Sequence, residues 1–158
     1  MEKDNLEKLE MFLKREKWTG YEVPESDVER IEILIQQKFP ITYRRFLLIT
    51  GQHFRAMPIS NGFSYLLEHN MQLLARKNLK EYGISLKSDE FWVFAENEGA
   101  EVIFFFYFDE GDDPPVYVCE MAQKEEDPDY PYLRKSKEHL SDFFNYYVDL
   151  YDQTKKYK

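Results

Sequence analysis

At 158 residues, with 43% hydrophobic and 17% aromatic residues, the chain has the length and apolar content of one globular domain. Its formal net charge of −9 disfavours binding to the phosphate backbone of nucleic acids. The imbalance lies in the C-terminal half, because residues 1–80 carry 13 bases and 11 acids (+2) whereas residues 81–158 carry 8 bases and 19 acids (−11).

The chain begins with a predicted amphipathic helix. Leu6, Leu9 and Leu13 recur at helical spacing in a polar background, so one face of this segment is apolar. We expect it to lie ahead of the main core. The predicted organisation is a single domain over residues 1–158, with an N-terminal helix and extension (1–25), a core (about 26–152) and a frayed tail (153–158).

A second helix is predicted to start at Ser26. Ser26 and Glu29 have the spacing of a capping box. In this motif the two side chains accept hydrogen bonds from backbone N–H groups at the start of a helix. Pro40 ends this helix, because proline has no N–H to donate within a helix. The predicted buried stripe consists of Ile31, Leu34 and Ile35.

Two more helices are predicted before the middle of the chain. One covers about residues 42–49 and is followed by Gly51, a suitable C-terminal cap. The other starts at Leu66 or Asn70 and continues to Tyr82, with its apolar residues on one side.

Runs of aromatic and β-branched residues predict three strands in the second half of the chain. These strands are about Phe91–Glu96, Glu101–Asp109 and Val116–Met121. The first two are joined by a hairpin link at residues 97–100. The middle run, VIFFFYF, is apolar on both faces, so we expect this strand to be central and covered on both sides.

The last part of the chain predicts a long polar loop and then a helix. Residues 122–138 are mostly polar and contain Pro128 and Pro131, which favours a loop. Ser141 is predicted to cap the final helix. The order of elements predicts an α+β fold, with an antiparallel or mixed sheet packed against N-terminal helices and a C-terminal helix.

The most distinctive segment extends from Asp89 to Asp129. It contains 14 acids and a single base, Lys124. The acids lie at the ends and turns of the predicted strands, so they form an acidic rim on an aromatic sheet. Such a rim attracts a basic protein and speeds its association. The predicted partner-binding residues are Glu96, Glu98, Glu101, Asp109, Glu110, Asp112, Asp113, Glu125, Glu126, Asp127, Asp129, Tyr130 and Tyr132.

The two tyrosines of this set have two possible roles. Tyr130 and Tyr132 follow a run of acids and are restrained by neighbouring prolines, which makes them suitable anchors for a protein partner. Alternatively, both rings pack back onto the sheet. The sequence leaves these two alternatives open.

No segment of the sequence predicts export or membrane insertion. The N-terminal residues MEKDNLEKLE lack the apolar stretch of a secretory signal, and the run from Val102 to Phe108 is too short to span a membrane. Cys119 is the single cysteine, so no intrachain disulfide forms, and its strand context predicts a buried side chain. We therefore expect a cytoplasmic protein.

Four segments resemble motifs of the SUKH superfamily, which includes bacterial toxin-immunity proteins and fungal regulators of cell-wall assembly and killer-toxin resistance. They occur in the family's order and cover about Glu29 to Tyr151. The segments are IEILIQQKFP, TYRRFLLITG, FWVFAENEGAEVIFFFYFDE and LSDFFNYYVDLY.

This resemblance implies a single α+β domain without enzymatic activity or a cofactor. For a bacterial member it implies a cytoplasmic immunity protein that binds and neutralises a cognate toxin, often a nuclease. Nucleases have basic clefts, so the acidic rim agrees with such a partner. The alternative is a regulatory scaffold or adaptor in cell-envelope or signalling control. In either role we expect a protein partner, no nucleic acid or membrane, and a monomer or weak homodimer.

Catalytic and metal sites are weaker interpretations of the same acids. One alternative is a small hydrolase that uses Glu96, Glu101 or Asp109 as catalytic carboxylates. Paired carboxylates are a known catalytic arrangement in glycoside hydrolases. The turn at residues 109–113 clusters oxygen ligands of the kind calcium prefers, but it lacks the spacing of an EF-hand loop. The three histidines are scattered. We therefore predict binding rather than catalysis, with no metal.

Overall fold

The computed structural model describes residues 5–64 and 71–155, which form the predicted α+β fold. The helices are α1 (Glu7–Glu16), α2 (Glu25–Ile35), α3 (Ile41–Thr50), α4 (Met71–Glu81), α5 (Gln123–Glu126) and α6 (Leu140–Lys155). The strands are β1 (Phe91–Asn97), β2 (Val102–Tyr107), β3 (Val116–Glu120) and β4 (Leu133–Lys137). Both predicted start positions of the fourth helix, Leu66 and Asn70, lie outside the described residues, and so does the end of the frayed tail.

The four strands form one antiparallel sheet in the order β1-β2-β3-β4. Each strand pairs with the next along the chain, so the sheet is a meander. Phe91 of β1 lies opposite Tyr107 of β2, and Val102 at the start of β2 lies opposite Glu120 of β3. Strand β2 has a strand on each side, which confirms that it is central.

Helices cover both faces of the sheet. On one face, Phe94 and Phe106 pack into a core shared with α1, α2, α3 and α6. On the other face, Phe105 and Cys119 pack into a smaller core with α4. Phe105 and Phe106 are neighbours in β2 and both are fully buried, because successive side chains of a strand point to opposite faces. The middle strand is therefore covered on both sides, as predicted.

The N-terminal helix contributes directly to the larger core. Leu9, Phe12 and Leu13 of α1 are buried. Phe12 contacts Tyr151 of α6 edge-to-face, with the ring centroids 5.3 Å apart. The helix ends where Lys17 adopts a left-handed backbone, with φ at 59°. The first and last helices of the chain thus pack together.

The predicted start of α2 is wrong. The helix begins at Glu25, and Pro24 occupies the position before it without a side-chain cap. Ser26 and Glu29 therefore lie inside the helix and do not form a capping box. Two acids in the first turn, Glu25 and Asp27, favour this helix end instead because its dipole is positive there.

The predicted buried stripe of α2 is wrong at one position. Leu34 is 71% exposed, whereas Glu32 is 3% exposed. Glu32 accepts a hydrogen bond of 2.8 Å from the backbone N–H of Phe39, and its other oxygen lies 3.4 Å from Nε of Arg44. Burial of a carboxylate at this position is possible because it is both paired and hydrogen-bonded.

Residues 122–138 are not the loop that the sequence predicts. They contain the short helix α5 and the strand β4, which completes the sheet. The sequence of β4, LRKSK, has no β-branched or aromatic residue, so it lacks the usual strand signal. Pairing with β3 makes it a strand: Tyr117 lies opposite Lys135, and Val116 lies opposite Lys137. Ser136 is the extra residue of a bulge between these pairs.

Candidate partner-binding site

The meander places the predicted partner-binding residues at opposite ends of the sheet. The β1–β2 turn and the β3–β4 connection lie at one end, which we call the hairpin end (residues 96–101 and 120–132). The β2–β3 turn lies at the other end, which we call the clamped end (residues 109–113). The six residues of β2 separate the two ends by about 20 Å. The continuous acidic rim expected from the sequence is therefore two separate clusters.

Asp113 at the clamped end caps the C-terminal helix. Its Oδ1 accepts a hydrogen bond from the backbone N–H of Ser141 (2.9 Å), and its Oδ2 accepts one from the Ser141 hydroxyl (2.6 Å). Oδ2 also accepts a hydrogen bond of 2.9 Å from the side-chain amide of Asn5. The sequence predicted that Ser141 itself caps α6, whereas the capping side chain comes from the β2–β3 turn.

The backbone of the same turn caps a second helix. The carbonyl of Asp112 accepts a hydrogen bond of 3.0 Å from the N–H of Thr42, in the first turn of α3. The side chains of Asp112 and Asp109 remain exposed. The turn therefore holds α3 and α6 by separate groups, and its sequence is constrained by the fold.

Glu110 completes the clamped end by packing against the sheet. Its Oε2 accepts a hydrogen bond of 3.1 Å from the hydroxyl of Tyr117, and its Oε1 lies 3.3 Å from Nζ of Lys87. Burial, and then the nearby Glu110 carboxylate, raise the pKa of Tyr117 to about 12. Both oxygens of the Glu110 carboxylate therefore contact groups within the fold.

His139 is a further titratable group at the clamped end. Its Nδ1 lies 2.9 Å from the carbonyl oxygen of Asp113 and donates a hydrogen bond to it. This bond raises the pKa of His139 above its usual value, and the charges of Asp113, Asp142 and Glu138 act in the same direction.

The hairpin end is built on a turn with three successive left-handed residues. The φ angles are 54° at Glu98, 63° at Gly99 and 64° at Ala100. Glu96 is 2% exposed, and its Oε2 accepts a hydrogen bond of 2.8 Å from the N–H of Ala100. The carboxylate of Glu96 therefore stabilises the turn, whereas the side chain of Glu98 is exposed.

Hydrogen bonds join this turn to the β3–β4 connection. The carbonyl of Glu101 accepts a hydrogen bond of 2.9 Å from the N–H of Met121, and its carboxylate accepts one from the hydroxyl of Tyr82 (2.9 Å). Nζ of Lys124 donates to the carbonyl oxygens of Tyr82 (2.7 Å) and Gly83 (3.1 Å), at the end of α4. The single base of the acidic stretch thus anchors α5 to α4.

Tyr130 and Tyr132 pack back toward the sheet. The hydroxyl of Tyr130 donates a hydrogen bond of 2.8 Å to Glu120, which Arg134 also contacts at 2.5 Å. Tyr132 is half-buried against the smaller core. Burial opposes ionisation of Glu120, but the hydrogen bonds from Arg134 and Tyr130 outweigh it and lower the pKa of this carboxyl. Both rings therefore make contacts within the fold, and their role as anchors for a partner stays a prediction.

The exposed acids of the hairpin end therefore lie on an anchored backbone. Lys124 holds their helix, and Oδ1 of Asp127 accepts a hydrogen bond of 3.1 Å from the N–H of Asp129 in the loop that follows. Carboxylates in this arrangement produce a fixed negative potential. The exposed members, which we call the hairpin-end acids, are Glu98, Glu125, Glu126, Asp127 and Asp129.

The structure separates Asp109 from the other two carboxylates of the hydrolase interpretation and gives each of those two a bond within the fold. Glu96 is buried as a turn cap, Glu101 is bonded to Tyr82, and Asp109 lies at the opposite end of the sheet. Cys119 is buried as predicted, and burial, with a smaller contribution from the Glu120 charge, raises the pKa of its thiol to about 12. A thiol with this pKa is not an effective nucleophile near neutral pH.

Within residues 5–64 and 71–155, no group of three or more His, Cys, Asp or Glu side chains converges as a metal site requires. In the turn at residues 109–113, the carboxylates of Glu110 and Asp113 are directed to Tyr117 and Ser141 instead. His69 lies outside the described residues.

Sequence reasoning missed the residues that organise the site. Tyr82 and Lys124 connect α4 to the hairpin end, and their roles depend on contacts between distant parts of the chain. The one available signal was the isolation of Lys124 among 14 acids. In the structure this lone base is held by two backbone carbonyls.

A comparison with protein families matches most of the chain. The model of the SMI1 / KNR4 family (SUKH-1) covers residues 22–146, from the segment before α2 into α6. No curated protein and no solved structure shows significant similarity to the chain. Among the described helices, none has the length and apolar character needed to cross a membrane. The family match confirms the resemblance of the four sequence motifs, and the chain belongs to the SMI1 / KNR4 family (SUKH-1).

Proposed function

We propose that this chain is a cytoplasmic immunity protein that binds and neutralises a basic, nuclease-type toxin domain through the hairpin-end acids. Membership of the SMI1 / KNR4 family (SUKH-1) supports a protein-binding role, as an immunity or regulatory protein, and not a catalytic one. The observation that carries the placement is the exposure of five acids on one anchored end of the sheet.

Electrostatics and steric exclusion together provide the mechanism. A basic cleft is attracted to the fixed negative potential of the hairpin end, which raises the association rate at low ionic strength. Once bound, the end of the sheet covers the cleft and excludes its substrate. Because Lys124 and Glu101 hold the surface in place, little conformational entropy is lost on binding.

The clamped end is the weaker candidate for the same partner. Asp113 and Glu110 accept hydrogen bonds inside the protein, so their positions are fixed by the fold, and Lys87 lies 3.3 Å from Glu110. Only Asp109 and Asp112 leave exposed side chains there. Two carboxylates provide less potential than the five of the hairpin end.

The test is to co-express the chain with the toxin domain encoded beside it and to measure binding by calorimetry over a salt series. We expect nanomolar affinity that weakens as salt rises. The substitutions Glu125→Gln and Glu126→Gln should reduce the affinity, and the matched control Asp109→Asn with Asp112→Asn, which also removes two charges, should leave it nearly unchanged. Adding Asp127→Asn and Asp129→Asn should reduce the affinity further.

Each result has a clear meaning. If the neighbouring toxin domain does not bind, the immunity role is contradicted and the regulatory scaffold becomes the better interpretation. If it binds but the clamped-end variant is the one that weakens the complex, the immunity role stands and the hairpin end is the wrong surface. Sedimentation of the free protein should show a monomer.

A further inference from the structure

We propose that the outer edge of β4 is a second binding surface, which accepts an extended acidic segment of another protein as a fifth strand of the sheet. This surface carries the opposite charge to the hairpin-end acids and belongs to a different element. The proposal is therefore independent of the toxin-binding role.

The two edges of the sheet differ in how their backbone groups are satisfied. At the β1 edge, Gln72 of α4 pairs with Val93 as another strand would: its Nε2 donates to the Val93 carbonyl (2.7 Å) and its Oε1 accepts from the Val93 N–H (3.0 Å). Arg76 donates to the carbonyl of Asp89 at 2.6 Å. Side chains of α4 thus occupy this half of the β1 edge.

The other half of the β1 edge is occupied by backbone. Ser60 and Glu96 form an antiparallel bridge with two hydrogen bonds, of 3.2 Å and 2.9 Å, between their N–H and carbonyl groups. No incoming strand can pair with β1 without displacing Gln72, Arg76 and Ser60. The β1 edge is therefore closed.

The outer edge of β4 has no such cover. Among residues 5–64 and 71–155, no hydrogen bond reaches the backbone of Leu133–Lys137 from the side away from β3. The strand is half-exposed along most of its length. Unpaired N–H and carbonyl groups at a sheet edge are a template for one more strand.

The side chains of β4 determine which charge is favoured in an added fifth strand. Arg134 is held by Glu120, so the available charges are those of Lys135 and Lys137. Lys135 makes only a surface pair with the exposed Glu138, at 3.4 Å. Nζ of Lys137 lies 4.3 Å from the ring centroid of Tyr146, whose side chain is 46% exposed. Two lysines and an exposed aromatic ring together favour acidic side chains in the neighbouring strand.

A second copy of this chain is a poor occupant of the same edge. An antiparallel pair of β4 strands centred on Lys135 would place two lysines directly opposite each other. Like charges at directly opposed positions are destabilising. The lysines therefore disfavour this pairing between copies while they favour an acidic partner.

The experiment titrates the full chain, labelled with ¹⁵N, with a blocked seven-residue peptide of alternating glutamate and valine at low salt. We expect amide shifts at residues 133–137 and slower hydrogen exchange there, because the added strand hydrogen-bonds to that backbone. The variant Lys135→Glu with Lys137→Glu should weaken peptide binding by roughly tenfold. The matched control, Lys38→Glu with Lys77→Glu, has the same net charge and should bind the peptide like the wild type.

Two control peptides separate strand addition from simple charge attraction. A peptide with lysine in place of glutamate should bind the wild type poorly. The glutamate peptide with alternate amides N-methylated keeps its charge but cannot donate hydrogen bonds along the edge that would face β4. It should therefore not slow hydrogen exchange at residues 133–137. The proposal is overturned if no peptide binds, if the shifts map to another surface, or if the N-methylated peptide binds equally well.

Discussion

At the clamped end of the sheet, the carboxylate of Asp113 bonds to Ser141 and Asn5, whereas at the hairpin end the carboxylates of Glu125 and Glu126 extend into solvent. Both ends are acidic turns that join strands of one sheet. At the first, the Asp113 side chain caps α6, and the backbone carbonyl of Asp112 caps α3. At the second, the base Lys124 provides the anchor and leaves the acids exposed. Acid-rich sequence therefore has a structural role at one end and leaves carboxylates exposed to solvent at the other.

The largest effect should follow removal of the clamp. Asp113→Ala removes the acceptor for both the N–H and the hydroxyl of Ser141, which is buried, and we expect a loss of about 2–3 kcal/mol in the free energy of unfolding. Urea denaturation measures it. The control Asp112→Ala keeps the backbone bond to Thr42 and should change stability by less than about 0.5 kcal/mol. Equal effects of the two substitutions would remove the distinction between clamped and exposed acids.

Neutralising the hairpin-end acids should leave the stability unchanged and slow the association with the partner. The amide variant at residues 125, 126, 127 and 129 should retain its stability to within about 0.5 kcal/mol, because these side chains are exposed. Its association rate with the toxin domain at low salt should fall about tenfold. Stopped-flow mixing measures this rate. A rate that does not change would show that the exposed acids do not steer the partner.

A smaller effect tests whether Glu120 stabilises the β3–β4 pair. Because its folded-state pKa is lowered, its contribution is present above about pH 4.5, the unfolded value, and is lost as the pH falls through the folded pKa. Glu120→Gln should cost about 1 kcal/mol near neutral pH. The difference from the wild type should shrink in acid. A constant difference from pH 7 to pH 3 would assign the effect to packing rather than to charge.

The smallest effect concerns His139 at the clamped end. Its pKa is raised in the folded state, so its contribution is complete below about pH 6.5 and is lost as the pH rises through the folded value. The side chain is exposed, so solvent limits the effect to less than about 0.5 kcal/mol. His139→Gln should abolish this pH-dependent part of the unfolding free energy. If the variant keeps the wild-type slope between pH 6 and pH 8, another group is responsible.

Periodicity predicted most of the fold because it reports which side chains are buried. The run VIFFFYF identified the central strand, and its burial on both faces is observed. The same reasoning failed for β4, whose polar residues become a strand through pairing with β3. It also failed at Leu34, because a paired and hydrogen-bonded glutamate, Glu32, occupies the buried position of that turn.

Prediction of the site was limited in a different way. The sequence identified the acidic residues but treated them as one surface, since their sequence positions do not show which end of the sheet each turn occupies. The antiparallel meander alternates the turns between ends and divides the set. The bond between Asp113 and Ser141 joins residues 28 positions apart, and no local pattern indicates it.

Hydrogen–deuterium exchange of the chain, alone and bound to the neighbouring toxin domain, tests most directly which end of the sheet binds the partner. We expect protection of residues 97–101 and 123–130 in the complex, with residues 109–113 unchanged. Protection of residues 109–113 without protection of 123–130 would contradict the placement of the partner on the hairpin end.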